Sequence, residues 1–360
     1  MVSVYIHIPF CEKKCNYCAF LSFCPSNAER KRYLSALIDE IERYDGDNVI
    51  KTIYFGGGTP SLLTIEELGT IFQKLRQKFE ILSGAEITIE VNPNSISEEK
   101  VKFYREMGIN RVSVGVQSLS NKTLKKIGRL HSKRDVKLAL KTLSKYYDNI
   151  SADLILGLEN EKNVCHYAKK LLKWKVKHIS AYMLEVHKNT PLFEAVNRGE
   201  YRPLSADGVT KSYERLVKFL KKHHFFQYEV SNFAINGFES KHNLNYWSYG
   251  DYVGFGISAH SFLGGVRNAN SSNLKGYYAG EKNCEKIDSK MEIEERIMLG
   301  LRSQVGVSKL ALKKLGYDIT PSETYRKLLK EGVIREDGDR FYLNEKFYKF
   351  ADYHILNLIP

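Results

Sequence analysis

Cys11, Cys15 and Cys18 fall within one short string, HIPFCEKKCNYCAF. Three thiolates on a single loop hold three corners of a cubane iron-sulfur cluster, and the fourth iron is then left without a protein ligand and open to chemistry. A structural zinc site would close its tetrahedron with a second Cys or His pair at similar spacing further along. No second CxxC or HxxxH follows, so the cluster reading is favoured.

Other residues of chemical interest recur at regular intervals. GGGTPS at 56–61 is a glycine-rich turn whose main chain can approach a ligand closely, and it lacks the GKS ending of a phosphate-binding P-loop. Glu90, Gln117, Arg129 and Asp153 are, taken singly, ordinary surface or structural residues. Taken together they offer a bidentate guanidinium for a carboxylate, with acidic and amide groups for an amine and ribose hydroxyls. His242, in HNLNYW, has the alternative readings of a metal or haem-iron ligand and of a hydrogen-bonded histidine in a packed corner. His7, His131 and His260 carry only the second. GFGISA at 254–259 matches GxGxxA but lacks the strand-helix-strand setting and downstream acid of a dinucleotide site, and no GxSxG elbow is present.

The elements that must position these groups follow from the hydrophobic pattern. Strand-like runs at 3–8, 51–55, 86–91, 111–116, 151–156 and 178–183 alternate with helix-period segments at 27–44, 64–79, 97–107, 133–146, 162–174 and 205–223. Six strand-helix units predict an α/β fold with a parallel sheet and right-handed crossovers, two units short of a closed eightfold barrel. The fold class expected is therefore a partial (β/α)6 barrel. The cysteine loop, GGGTPS, Glu90 with Asn92, and Gln117 all fall at strand ends, and Asp153 lies within strand five, so they converge on one mouth. The expected domains are a barrel at 1–232, an irregular aromatic and glycine-rich connector at 233–290 that contains HNLNYW, and a small, mostly helical domain at 291–360 ending in a hairpin-like GDRFYLN.

The 360 residues are 43% hydrophobic and 27% charged, enough to bury a large core and too ordered in composition for a disordered chain. No run approaches a membrane span, no cleavage site follows the first strand, and the cysteines (Cys24, Cys165 and Cys284 complete the six) suit a reducing compartment, so a cytoplasmic protein is expected. The net charge of +13 invites a nucleic-acid reading. Its densest run, NKTLKKIGRLHSKR at 121–134, has no interleaved aromatics and reads as a solvated helix face, so no nucleic-acid partner is expected.

The series CxxxCxxC, GGGTP, a Glu near NP, GVQS, GRLH, a DLI-type strand, YEVSNFA and HNxxYW, in this order over nearly the whole chain, resembles the radical SAM proteins of the HemN/HemW group. The resemblance implies a 4Fe-4S cluster on Cys11, Cys15 and Cys18. It also implies S-adenosylmethionine on the open iron, reductively cleaved to a 5'-deoxyadenosyl radical and contacted by Tyr5, Tyr17, Gly57, Gly58, Thr59, Glu90, Gln117, Arg129 and Asp153. A reductant such as a flavodoxin-type donor is a further implied partner.

Within the group, the oxygen-independent coproporphyrinogen III oxidases have a longer N-terminal region and a fourth cysteine two places after the third. Phe20 stands at that place and only four residues precede Tyr5, features that resemble the haem-chaperone branch. There HNxxYW is associated with haem binding, which makes His242 the implied haem ligand and a haem-requiring protein the implied acceptor. Where the group continues strand five with GLPGQT, this chain has GLENEK at 157–162, without the proline and the second glycine. Cys24 is extra to the pattern and reads as an ordinary thiol.

Overall fold

The computed structural model describes every residue except 47, 48 and 162. Six parallel strands form its centre: β1 (Val2–Ile8), β2 (Val49–Gly57), β3 (Glu80–Val91), β4 (Arg111–Gln117), β5 (Ile150–Leu156) and β6 (His178–Met183). They lie side by side in chain order, joined by helices such as Asn27–Arg43, Ile65–Lys78, Lys133–Leu143 and Val164–Lys173. The helix expected to begin at residue 162 begins at Val164, and residue 162 lies outside the described residues. Capping boxes set three of the helix starts, Ser26 with Glu29, Thr64 with Glu67 and Ser132 with Asp135, each contributing about 1 kcal/mol.

The core follows from alternation along the strands. Val4, Ile6, Ile53, Phe55, Ile89, Val112, Val114, Ala152, Leu154 and Ile179 face outward under the helices and are buried to 1% exposure or less. Burial of each larger side chain stabilises by roughly 1.5–3 kcal/mol. The residues between them point inward, and many are polar: Ser3, Thr52, Glu90, Ser113, Asp153 and Ser180. The register aligns these groups across neighbouring strands, with Glu90 opposite Ser113 and Asp153 opposite Ser180.

The barrel is open, because β1 pairs with β9 (Tyr252–Phe255) on one side and β6 with β8 (Asn232–Ala234) on the other. The stretch expected as an irregular connector extends the sheet with short strands. β10 (His260–Leu263), β11 (Val266–Asn270) and β12 (Lys282–Lys286) continue antiparallel beyond β9, while β7 (Phe226–Gln227) closes the other edge. Periodicity missed these strands because they are two to five residues long and rich in Asn, Gly and Lys. Glu40, on the first helix, ties this region down by accepting bonds from Gly256 N–H, Asn270 Nδ2 and Tyr277 O–H.

The last part of the chain buries a separate apolar core that includes Ile297, Leu312, Phe341 and Ile355. It holds β13 (Val307–Ser308), β14 (Ile334–Asp337) and β15 (Arg340–Leu343) in a small antiparallel sheet, flanked by helices Ser289–Gly300 and Glu323–Lys330.

Candidate functional site

A cavity of about 450 Å3 opens at the C-terminal ends of the six strands. Its wall includes Cys11, Cys15, Cys18, Tyr17, Gly57, Gly58, Thr59, Glu90, Gln117, Arg129 and Asp153, so most of the residues singled out from the sequence meet here. Two do not. Tyr5 lies below the wall, stacked on Tyr54 with ring centroids 6.2 Å apart and hydrogen-bonded through its hydroxyl to His7 Nδ1. His242 is the other.

The cysteine loop is held by backbone bonds: Cys11 N–H donates to Phe23 O, Cys18 N–H to Cys15 O, and Asn16 N–H to Ile127 O. That last bond gives the basic run a structural task, since Gly128, at φ +80°, passes so close to Asn16 that an added Cβ would lie 2.8 Å from its Oδ1. Its lysines are largely solvent-facing, while its turn carries the loop and delivers Arg129. Arg129 Nη1 lies 3.5 Å from Cys15 Sγ, and Nη2 donates to Asn92 Oδ1 and Gly115 O. Its buried Nε has no partner among the described residues and is free for a ligand.

All three thiols are free and part-exposed, and burial raises those of Cys11 and Cys18 above the usual thiol range. Among the described residues no three His, Cys, Asp or Glu side chains gather as ligands of a single metal ion. A cubane asks something different, because each thiolate binds its own iron. Three thiols on one loop at the wall of one cavity, with a guanidinium beside the middle sulfur, fit such a cluster. Cys24, exposed and donating to Glu12 O, does not line the cavity.

The inner wall is suited to a cationic ligand. Burial pushes Glu90 up to about 7, with the Asp153 charge adding to the effect and the Tyr54 hydroxyl, which donates to it at 2.7 Å, opposing it. Burial also raises Asp153, and the Ser180 hydroxyl, followed by the Arg111 charge, only partly offsets it. An ammonium or sulfonium placed between these carboxylates would restore their ionised forms. The glycine loop leaves main chain alone at the wall, since a Cβ on Gly58 would meet Phe10 O at 2.7 Å and one on Gly57, at φ +111°, the His7 ring at 2.6 Å.

Glu90 has a further consequence for stability. Its folded value lies above the ordinary 4.5, so the folded state binds the extra proton between about pH 4.5 and 7 and stability falls as pH rises through that window. Because Glu90 borders the cavity, water screens part of the effect. Glu90→Gln is expected to stabilise the ligand-free protein by about 1–3 kcal/mol at pH 8 and by little at pH 4.5. Urea unfolding at both pH values reads the difference.

The GLENEK departure is absorbed locally. Asn160 sits at φ +63°, the left-handed conformation that asparagine tolerates best after glycine, and Gly157 keeps φ +93°. Glu161 turns inward to accept from Ser118 Oγ and Tyr167 O–H, bracing the turn that holds Gln117 at φ +62°. Glu159 pairs outward with Lys126. Residue 162 lies outside the described residues.

His242, the expected haem ligand, lies behind the cavity wall. It is the second residue of the helix Lys241–Trp247, is 1% exposed, and does not line the cavity, although its neighbour Asn243 does. Thr52 Oγ1 donates to Ser3, so His242 Nδ1–H donates to Thr52 at 2.8 Å, which leaves Nε2 to accept from Tyr246 O–H, also at 2.8 Å. Burial drives its pKa down to about 3. Neutral and occupied at both nitrogens, it presents no lone pair to a metal. Glu86 fixes the helix by accepting from Lys241 and His242 N–H, so the motif is a latch beneath the cavity.

Sequence reasoning passed over Arg111, Tyr54, Tyr182 and His187, all of which line the cavity. Arg111 and Tyr54 had a signal, an inward position on a strand whose inward neighbours are polar. His187 had none, lying in a loop beyond β6.

Comparisons place the chain. Residues 5–171 match the radical SAM superfamily. The heme chaperone HemW of Bacillus subtilis is 35% identical over 96% of this chain and 96% of that protein, and that of Escherichia coli K12 is 30% identical over 96% and 94%. The structure of coproporphyrinogen III oxidase (HemN) from Escherichia coli, a radical SAM enzyme, superposes with a TM-score of 0.85 over 99% of this chain and 90% of that one, at 20% identity, a likeness of fold. With relatives this similar along nearly its whole length, the chain belongs to the heme chaperone HemW family of the radical SAM superfamily.

Proposed function

We propose that this protein binds haem and delivers it to haem-requiring acceptors, with a 4Fe-4S cluster on Cys11, Cys15 and Cys18 and S-adenosylmethionine in the adjoining cavity. The observation that carries this reading is the near full-length similarity to heme chaperones, with Phe20 rather than a fourth cysteine on the cluster loop. The radical SAM family itself implies the cluster and S-adenosylmethionine. When bound, the cluster supplies an electron to S-adenosylmethionine. Arg129 orients the ligand's carboxylate through its free Nε and steadies Cys15, while Glu90 and Asp153 receive its cationic groups. Gly57, Gly58, Thr59, Gln117 and Tyr17 shape the wall, and Tyr5 supports it through Tyr54.

The division at 1–232, 233–290 and 291–360 belongs to the same proposal, as do a flavodoxin-type reductant and a location in the cytoplasm. Among the described residues no helix is long and apolar enough to cross a membrane.

The competing reading is coproporphyrinogen III oxidation, favoured by the fold shared with HemN. Incubation of the reconstituted protein with coproporphyrinogen III, S-adenosylmethionine and a reductant separates the two. The chaperone reading expects the substrate to remain unchanged, and formation of protoporphyrinogen IX overturns it.

A further inference from the structure

Resting on the reading that S-adenosylmethionine occupies this cavity, we infer that Arg111 is a positioning residue of the site, a guanidinium that keeps Glu90 and Asp153 charged while leaving their oxygens free for the ligand's cationic groups. Arg111 opens β4, is 2% exposed and borders the cavity. Its guanidinium makes no hydrogen bond or ion pair with any described residue, and its Nε is buried without a partner. A buried guanidinium ordinarily forks onto a carboxylate, because an unpaired one forfeits its hydration without return. This one stands off from all three carboxylates that act on it, Glu86 and Glu90 on β3 and Asp153 on β5.

The charge itself is secure. Burial works against it, and the surrounding groups, Glu86 foremost, hold the guanidinium protonated. Two histidines also face it, His178 on β6 and His242 behind the wall; burial first and the Arg111 charge second hold both below the usual histidine range, so neither adds a competing cation. The other arginine of the wall, Arg129, already donates to Asn92 and Gly115 O beside Cys15.

Standing off has a chemical use. A direct ion pair would occupy carboxylate oxygens that a sulfonium or ammonium needs. A guanidinium at a distance opposes the effect of burial on Glu90 and Asp153 by attraction through space alone. The two carboxylates are then held in place by neutral hydroxyls, Glu90 by Tyr54 and Asp153 by Ser113.

Equilibrium dialysis of S-adenosylmethionine against the full-length, cluster-reconstituted protein at pH 6 and pH 8.5 tests the assignment. Loss of the charge in Arg111→Met or Arg111→Gln is expected to raise the titration of Glu90 by about one pH unit, which weakens binding relative to wild type about tenfold at pH 6 and less than about twofold at pH 8.5. Arg111→Lys, which restores a cation, is expected to stay within about threefold of wild type at both pH values. Equal weakening of the neutral variants at the two pH values, or none at either, overturns the assignment, as does an Arg111→Lys protein that loses binding at pH 6 about tenfold. Infrared titration of the carboxyl band that Glu90→Gln removes reads the same shift in the ligand-free protein. A wild type that binds no S-adenosylmethionine therefore removes the underlying reading of the cavity, whereas an unshifted band in Arg111→Met overturns the role of Arg111.

Discussion

Replacing any one of Cys11, Cys15 and Cys18 with alanine is expected to strip most of the iron from the reconstituted protein and abolish its broad visible absorption. A cubane left with two protein thiolates on this loop has two open irons and is lost to solvent. The fold should survive. The three side chains are part-exposed at the cavity wall, and the loop is held by main-chain bonds to Phe23, Ile127 and Cys15 that a side-chain truncation leaves in place. An unfolding free energy within about 1 kcal/mol of wild type is therefore expected beside a near-complete loss of iron. Cys24→Ser supplies the contrast, because that thiol is exposed and outside the cavity wall. Iron loss in Cys24→Ser equal to that in the other three would contradict the ligand set.

His242→Ala is expected to act on stability rather than on the haem spectrum. Removing the ring leaves Thr52 and Tyr246 without their partner in a buried space and opens a cavity against Tyr54, at a cost of about 2–4 kcal/mol. The pH dependence carries a second signature. The unfolded histidine takes up a proton near pH 6.5 while the folded one resists until about 3, so stability is complete above 6.5 and is lost as pH falls through that window. Denaturant unfolding between pH 7 and 5 should give a shallower loss in His242→Ala than in wild type. Haem bound per folded molecule should be unchanged, and its selective loss without loss of stability would return His242 to the role of ligand.

The site was legible in the sequence where polar residues interrupt an alternating strand. Glu90, Asp153 and Gln117 stand on β3, β5 and β4 with buried Ile, Val or Leu beside them, so strand geometry turns them inward. The cysteine spacing needed no fold at all. The setting of His242 was not legible, because residue type and motif say nothing about what a ring nitrogen touches, and its partner Thr52 is 190 residues away. The short strands β9 to β12 were missed for a similar reason, since their pairing with β1 and with one another is a tertiary contact. In GLENEK the pattern had lost its second glycine, and Asn160 in that place takes φ +63°, a left-handed conformation readable only once φ is known.

The central claim is that this family member carries haem. Titration of haem into the anaerobic, cluster-reconstituted full-length protein measures it most directly. The account predicts saturation at one haem per chain with a protein-specific haem spectrum; a titration indistinguishable from that of a non-binding control protein would contradict it.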